Sequence, residues 1–436
     1  MGQIFHPYDP DQGYLFPAAP RDWMPEGHLA FFISDTVDEL DLDAFYAPYR
    51  GRPNDRGNLA YEPRMLLKVL IFSYSQGIFS SRRIAAGIED LVALRYLAAG
   101  NQPGHRTIAR FRKDNAEHFA SVFAQIVKVA QAAGLVGMGT LAIDGSRVRA
   151  NASKHKAMTY ARMKEADKRL SKEIEAILAR ADGIDEAEDA KFGPDFRGDE
   201  LPAELQRRET RRARIREAVR ELEAEQAKKD EASGRGKGRT KKMKRPNGTP
   251  EDDAQHNFAD PESRIMKTSS GGYEQCFNAQ IAVDDKAQII VASGVTASAA
   301  DVRELLPTLD RAEEITGEKA QRVLADAGYK SEANFKALED RGVSALISLG
   351  RREDTREKAM CAGPATTRMS ASLESPEGRK LFKTRKHIVE PAFGWAKRVL
   401  GFRTFSMRGL ALARAEWELV CAALNLRRMG TRILPA

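Results

Sequence analysis

Two stretches of the sequence share one design. In TLAIDG (140–145) and RVLADAG (322–328) an apolar run leads to an aspartate, Asp144 and Asp326, and small residues follow. An aspartate at the end of a buried strand is held rigidly, and a glycine after it lets another group approach closely. Such an aspartate can also do no more than open a turn, but two copies on either side of a β-hairpin pattern favour a site. A third carboxylate stands out by its surroundings. From Arg379 to Arg414 there are ten Lys or Arg residues and one acidic residue, Glu390. It can be an ion-pair partner or a site group. Pro391 follows it and either starts a helix or kinks one. Phe393, Gly394 and Lys397 share its helical face. Carboxylates are what hard Mg²⁺ or Mn²⁺ demands. Two such ions can activate an attacking oxygen and stabilise a leaving one at phosphorus. Asp144, Asp326 and Glu390, from two strands and a helix, are therefore candidate catalytic residues and ligands of two Mg²⁺ (or Mn²⁺) ions.

The elements that must position them can be read from periodicity. Residues 1–56 are rich in Pro, Gly, Asp and aromatics, with one helix-like stretch at Thr36–Phe45. From Glu62 to about Gly134 apolar residues recur at three and four, which predicts helices over MLLKVLIF, RRIAAGIEDLVALRYL and RTIARFRKDNAEHFASVFAQIVKVAQAAG. GNQPG (100–104) is a turn between two of them. GTLAIDGSRVRA then predicts a short strand that ends at Asp144 and a turn at Gly145. Residues 155–232 are highly charged. Two helical halves, Tyr160–Ala181 and Pro202–Ala232, carry narrow apolar stripes: Met163, Ala166, Leu170, Ile174 and Leu178 on one, Leu205, Ile215, Val219 and Leu222 on the other. They predict a protruding helical hairpin. Residues 233–250 follow as a flexible basic loop, with seven basic residues and no acidic one between Arg235 and Arg245. The core resumes with a hairpin (CFNAQIAV, a DDK turn, QIIVASGV), a helix from about Ala300, strand RVLAD, helix SEANFKALEDR, strand VSALISL and a basic helical C-terminus. Asp301 before VRELL is expected to cap a helix. Asp284 and Asp285 are expected in the hairpin turn, and Trp395 and Trp417 as packing residues.

The expected fold is α+β: a mixed five-stranded sheet with flanking helices, an all-helical N-terminal domain (1–134), a core of 135–154 and 251–436, and a charged helical insertion (155–250). The 436 residues can bury a large core. A net charge of +8 favours a polyanionic partner, nucleic acid before an anionic membrane. Cys276, Cys361 and Cys421 show no metal or redox spacing, which suits a reducing, cytoplasmic setting. No secretory signal pattern or membrane span is visible.

The order strand–Asp, hairpin, helix, strand–Asp, helix–Glu resembles the ribonuclease-H-like catalytic core of DDE-type bacterial insertion-sequence transposases. The wording is close in AIDGSRVRANASKH, DPESRIMKTSSGGYEQCFNAQIAVD, LADAGYKSEAN and RKHIVEPAFGWAKRVLGFRTFSMRGLALARAEWELVCAALNLRRM, and it extends from about Tyr61 to Arg428. Relatives carry a Tyr-x2-Arg-x3-Glu-x6-Lys signature. Here Glu390 and Lys397 match its second half, while Lys383 and Lys386 stand in the Tyr and Arg places, with Phe382 and Arg385 adjacent. The resemblance implies metal-dependent cleavage of DNA at transposon ends and 3′-hydroxyl strand transfer into target DNA, by a cytoplasmic, nucleoid-associated protein that dimerises on double-stranded DNA. It also implies DNA contacts from Arg264, Lys267, Arg385, Lys386 and Lys397. The N-terminal helices resemble the DNA-binding module of such proteins. Thr107 can cap a helix that displays Arg106, Arg110 and Lys113, with Ile108, Phe111 and Phe119 facing the core. A nuclease that does not rejoin strands and an inactive, transposase-derived repressor are the rival readings.

Overall fold

The computed structural model describes residues 19–50, 60–192, 203–232, 246–268, 271–350 and 363–434. The chain divides into two compact units: 1–151 with 266–272 and 276–436, and 152–265 with 273–275. Much of the basic loop, and Cys361, lie outside the described residues. So do the side chains of Leu178 and Leu205.

In the larger unit, helices come first. The expected stretch at 36–45 is two helices: α1 (Leu29–Asp38), capped by His28, and the short α2 (Asp43–Tyr46). α3 (Pro63–Ser75) starts at a proline behind Glu62, whose side chain accepts from Met65 N. The single helix read over 82–97 is broken at Leu91, which adopts an extended conformation and separates α4 (Ser81–Asp90) from α5 (Val92–Leu97). α6 (His105–Asp114) and α7 (Phe119–Ala132) follow. Gly104 caps α6 without a side-chain hydrogen bond, so Thr107 lies inside the helix instead of capping it. Ile108, Phe111 and Phe119 are buried as the periodicity requires.

The sheet is built from β1 (Thr140–Arg149), β5 (Tyr273–Asp284), β6 (Ile290–Thr296), β7 (Arg322–Ala325) and β8 (Ser344–Ile347). Its order is β6–β5–β1–β7–β8; β1 runs antiparallel to β5 and parallel to β7. A further strand, β4 (Arg264–Lys267), pairs with β5, one more than expected. β1 does not end at Asp144. Parallel pairing with β7 stops at Ile143, whereas antiparallel pairing with β5 continues to Arg149. Helices α10 (Leu305–Thr316), α11 (Glu332–Asp340), α12 (Pro364–Glu374), α13 (Pro376–Gly394) and α14 (Leu410–Ile433) complete the unit. α14 packs against α3, α7 and β6, so the N-terminal helices and the sheet share one body. The architecture is the mixed α+β, ribonuclease-H-like one.

The smaller unit holds α8 (Tyr160–Phe192) and α9 (Ala203–Ala232), packed together, and a two-stranded ladder of β2 (Ala157–Thr159) and β3 (Gln255–Asn257). Tyr160, Met163, Ala166, Leu170, Ile215, Ala218 and Leu222 form a core of their own. Arg212 and Arg216 of α9 both reach Asp167 of α8, at 2.9 and 2.8 Å. No helix among the described residues is long and apolar enough to cross a membrane.

Candidate functional site

The register of the sheet places the two aspartates. Ile143 pairs with Ala325 across the parallel β1–β7 ladder. The next residue on each strand is Asp144 and Asp326, so both carboxylates sit side by side at the C-terminal end of the pair. β7 stops there because Asp326 turns the chain: its side chain accepts from Gly328 N at 2.8 Å and caps the 3₁₀ turn Ala327–Tyr329. Asp144 Oδ1 accepts from Gly145 N at 2.9 Å, and Arg385 Nη1 lies 3.4 Å from Asp144 Oδ2. Burial raises the Asp144 carboxyl to about 6; Arg385 opposes that rise, and the charges of Asp326 and Asp301 add to it.

Asp301 belongs to this cluster, and the expectation that it caps a helix fails. α10 begins at Leu305 behind Glu304, and the Asp301 carboxylate instead accepts from Asn278 Nδ2 at 2.6 Å and Gln280 Nε2 at 2.8 Å. Gln280 Oε1 accepts from the hydroxyl of buried Tyr329. Burial holds that hydroxyl well above its usual range, with Asp301, Asp144 and Asp326 adding to it. One signal for this was present in the sequence. Asn278 and Gln280 lie two apart in the otherwise apolar run CFNAQIAV, on one face, and buried amides require partners.

Glu390 lies on α13, which packs against β1 and β7. Glu390 is exposed, and no hydrogen bond or ion pair joins it to Asp144 or Asp326. Among the described residues no three His, Cys, Asp or Glu side chains converge as a metal site. Two neighbours on its face anchor the helix. Phe393 stacks on Trp417 with ring centroids 6.0 Å apart, and Lys397 Nζ donates to Ser146 Oγ at 2.6 Å and Arg147 O at 2.7 Å. Burial lowers the Lys397 ammonium from its usual range. Pro391 sits inside α13 and cannot donate to the carbonyl four residues back. That carbonyl, His387 O, accepts from Gln288 Nε2 at 2.7 Å, and a π-helical turn, Trp395–Val399, follows.

The basic residues divide by what they already hold. Arg385, not Lys386, meets the aspartate; Lys386 is exposed. Arg264 is engaged by Glu225, with Nη2 at 2.9 and 2.8 Å from the two carboxylate oxygens. Lys267 is exposed, as are Arg106, Arg110 and Lys113 on α6. Arg112, between them, is buried and donates to the Tyr74 hydroxyl at 2.8 Å and Phe79 O at 2.9 Å.

A ribonuclease-H-like sheet with paired aspartates at the ends of its central parallel strands is a fold that supports phosphodiester chemistry. The family comparison narrows it. Residues 245–426 match the Transposase DDE domain and residues 19–114 match a Transposase domain (DUF772). The chain belongs to the DDE insertion-sequence transposases. Asp301, Asp326 and Glu390 fall inside the first match; Asp144 precedes it. No curated protein and no solved structure matches the chain.

Proposed function

We propose that this transposase cuts DNA at transposon ends and joins the freed 3′-hydroxyl to target DNA, with Asp144 and Asp326 at the centre of the reaction. The observation that carries this reading is their adjacency one residue past the Ile143–Ala325 pair. Two fixed carboxylates offer the oxygen donors that Mg²⁺ or Mn²⁺ takes, and the chemistry of this aspartate pair suits such an ion. Asp144 and Asp326 would hold the metal pair, and Glu390 would complete the shell from α13. When bound, the metals supply the activated oxygen nucleophile and neutralise charge on the leaving oxygen. The chain's own work is positioning. Arg385 fixes Asp144, and Lys397 ties α13 to β1 just beyond it. Exposed Lys386 and Lys267 are placed to meet phosphates of the DNA backbone. Arg106, Arg110 and Lys113 on α6 read the terminal repeats, and assembly of two copies on DNA brings two ends together.

The test is a nicking and strand-transfer assay on duplexes carrying the element's terminal inverted repeat. Cleavage should require Mg²⁺ or Mn²⁺. Asp144→Asn, Asp326→Asn and Glu390→Gln should each abolish it while DNA binding persists. A variant that cuts at the wild-type rate removes that residue from the assignment. Cutting without joining would leave a nuclease.

A further inference from the structure

The carboxylate of Asp301 touches the backbone behind both site aspartates. A Cβ added at Gly145 would lie 2.7 Å from Asp301 Oδ1 and 2.3 Å from Gln280 Nε2. A Cβ added at Gly328 would lie 3.0 Å from Asp301 Oδ2 and 3.0 Å from Asp326 Oδ1. One oxygen therefore packs over the residue after Asp144, and the other over the turn that Asp326 caps. The same carboxylate is fixed from below by the Asn278 and Gln280 amides. Those amides are themselves fixed: Asn278 Nδ2 also reaches Ser298 O at 3.2 Å, and Gln280 accepts from the Tyr329 hydroxyl. Asp144 is paired on one side only, with Ile281 of β5, and Asp326 lies one residue past the end of its strand. β7 has already ended at Ala325, and beyond Ile143 β1 has no partner on that side.

We propose that Asp301 is the positioning residue of the site, a clamp that sets the separation of Asp144 and Asp326 through Gly145 and Gly328. It acts through them and not as a ligand of its own. The inference rests on the reading of Asp144 and Asp326 as the metal-holding pair. Groups that orient metal ligands typically change metal affinity or activity about 10–100-fold when removed.

The experiment is Mn²⁺ titration calorimetry on the full chain, beside the nicking assay. Asp301→Ala should bind Mn²⁺ about 10–100-fold more weakly. Asp301→Asn keeps an oxygen for the two amides and should recover most of the affinity and rate. A merely structural role would not give that split in a protein whose thermal melting is unchanged. Asn278→Ala, which leaves Asp301 in place but loosens it, should weaken Mn²⁺ binding in the same direction and guards against a misfolded Asp301→Ala. Wild-type affinity in Asp301→Ala or in Asn278→Ala overturns the proposal. So does an Asp301→Asn variant as weak as the alanine, because charge and not positioning would then be the cause. A wild-type chain that takes up Mn²⁺ without cutting DNA overturns the functional reading and leaves the clamp standing. One that takes up no Mn²⁺ overturns both.

Discussion

Arg385 reaches from α13 to Asp144 at the end of β1, Nη1 to Oδ2 at 3.4 Å, and the two side chains are only 12% and 20% exposed. The ion pair does not win against burial. The Asp144 carboxyl stands at about 6, above its ordinary 3.8. Its ionised form is thus less favoured in the fold than in the unfolded chain. The contribution of this group to stability is greatest below its unfolded pKa and is lost as pH rises through about 6. Asp144→Asn removes the penalty. At pH about 8 without divalent ions the variant should be more stable than wild type, by at most about 3 kcal/mol, and the gain should shrink toward pH about 4. Melting curves at the two pH values check this; an equal gain at both would contradict the burial argument. Mg²⁺ should then stabilise wild type at the higher pH more than the variant.

Lys397 carries a different expectation. The family resemblance makes it a DNA contact, but its ammonium is half-buried and already donates to Ser146 Oγ and Arg147 O. Lys397→Ala should therefore destabilise the DNA-free protein, by about 1–3 kcal/mol, since it leaves a carbonyl and a hydroxyl short of a donor. Urea unfolding reads this directly. A wild-type midpoint would return Lys397 to the DNA.

How much of this was legible depended on whether the signal was local. The apolar runs before Asp144 and Asp326 announce their strands, and the basic field around Glu390 announces α13. The end of β1 was misplaced because pairing is a property of the sheet: β7 leaves at Ala325 while β5 continues, and no pattern within 140–149 records it. The break at Leu91 was missed because its neighbours keep the helical period on both sides. The sequence around Asp301 reads as a helix cap because its partners, Asn278 and Gln280, lie more than twenty residues upstream on another element. The role of Arg385 instead of Lys386 was equally non-local, since only the face of α13 against β1 separates two adjacent basic residues.

A buried network joins the N-terminal helices to the sheet's covering helix. Glu416 on α14, 0% exposed, accepts from the Tyr74 hydroxyl of α3 at 3.1 Å and from Ser406 N at 2.7 Å. Arg112 of α6 donates to the same tyrosine, and its Nη1 lies 3.9 Å from Glu416 Oε1. Removing one side of a buried pair strands the other charge, which typically costs about 3–5 kcal/mol. Glu416→Ala should lose stability on that scale, whereas truncation of exposed Arg110 should leave it nearly unchanged. Denaturant unfolding of the two variants separates them. Equal midpoints would mean that the Arg112 charge is relieved some other way.

The remaining expectation concerns sequence reading. α6 presents Arg106, Arg110 and Lys113 outward while Ile108, Phe111 and Arg112 hold it to the body. Backbone contacts bring affinity and salt sensitivity, whereas contacts to base edges bring discrimination. A short helix fixed by its buried face suits the second task, because its exposed arginines can offer paired donors to a guanine in the major groove. Exposed Lys386 on α13 suits the first, one residue from the arginine that meets Asp144. Arg110→Ala should cost about 1–3 kcal/mol of binding on a terminal-repeat duplex and much less on random DNA. Lys386→Ala should weaken both duplexes alike and flatten the salt dependence of binding. Fluorescence anisotropy at matched salt measures both. Equal losses for Arg110→Ala on the two duplexes would remove α6 from sequence recognition, and the carboxylate site would be untouched by that result.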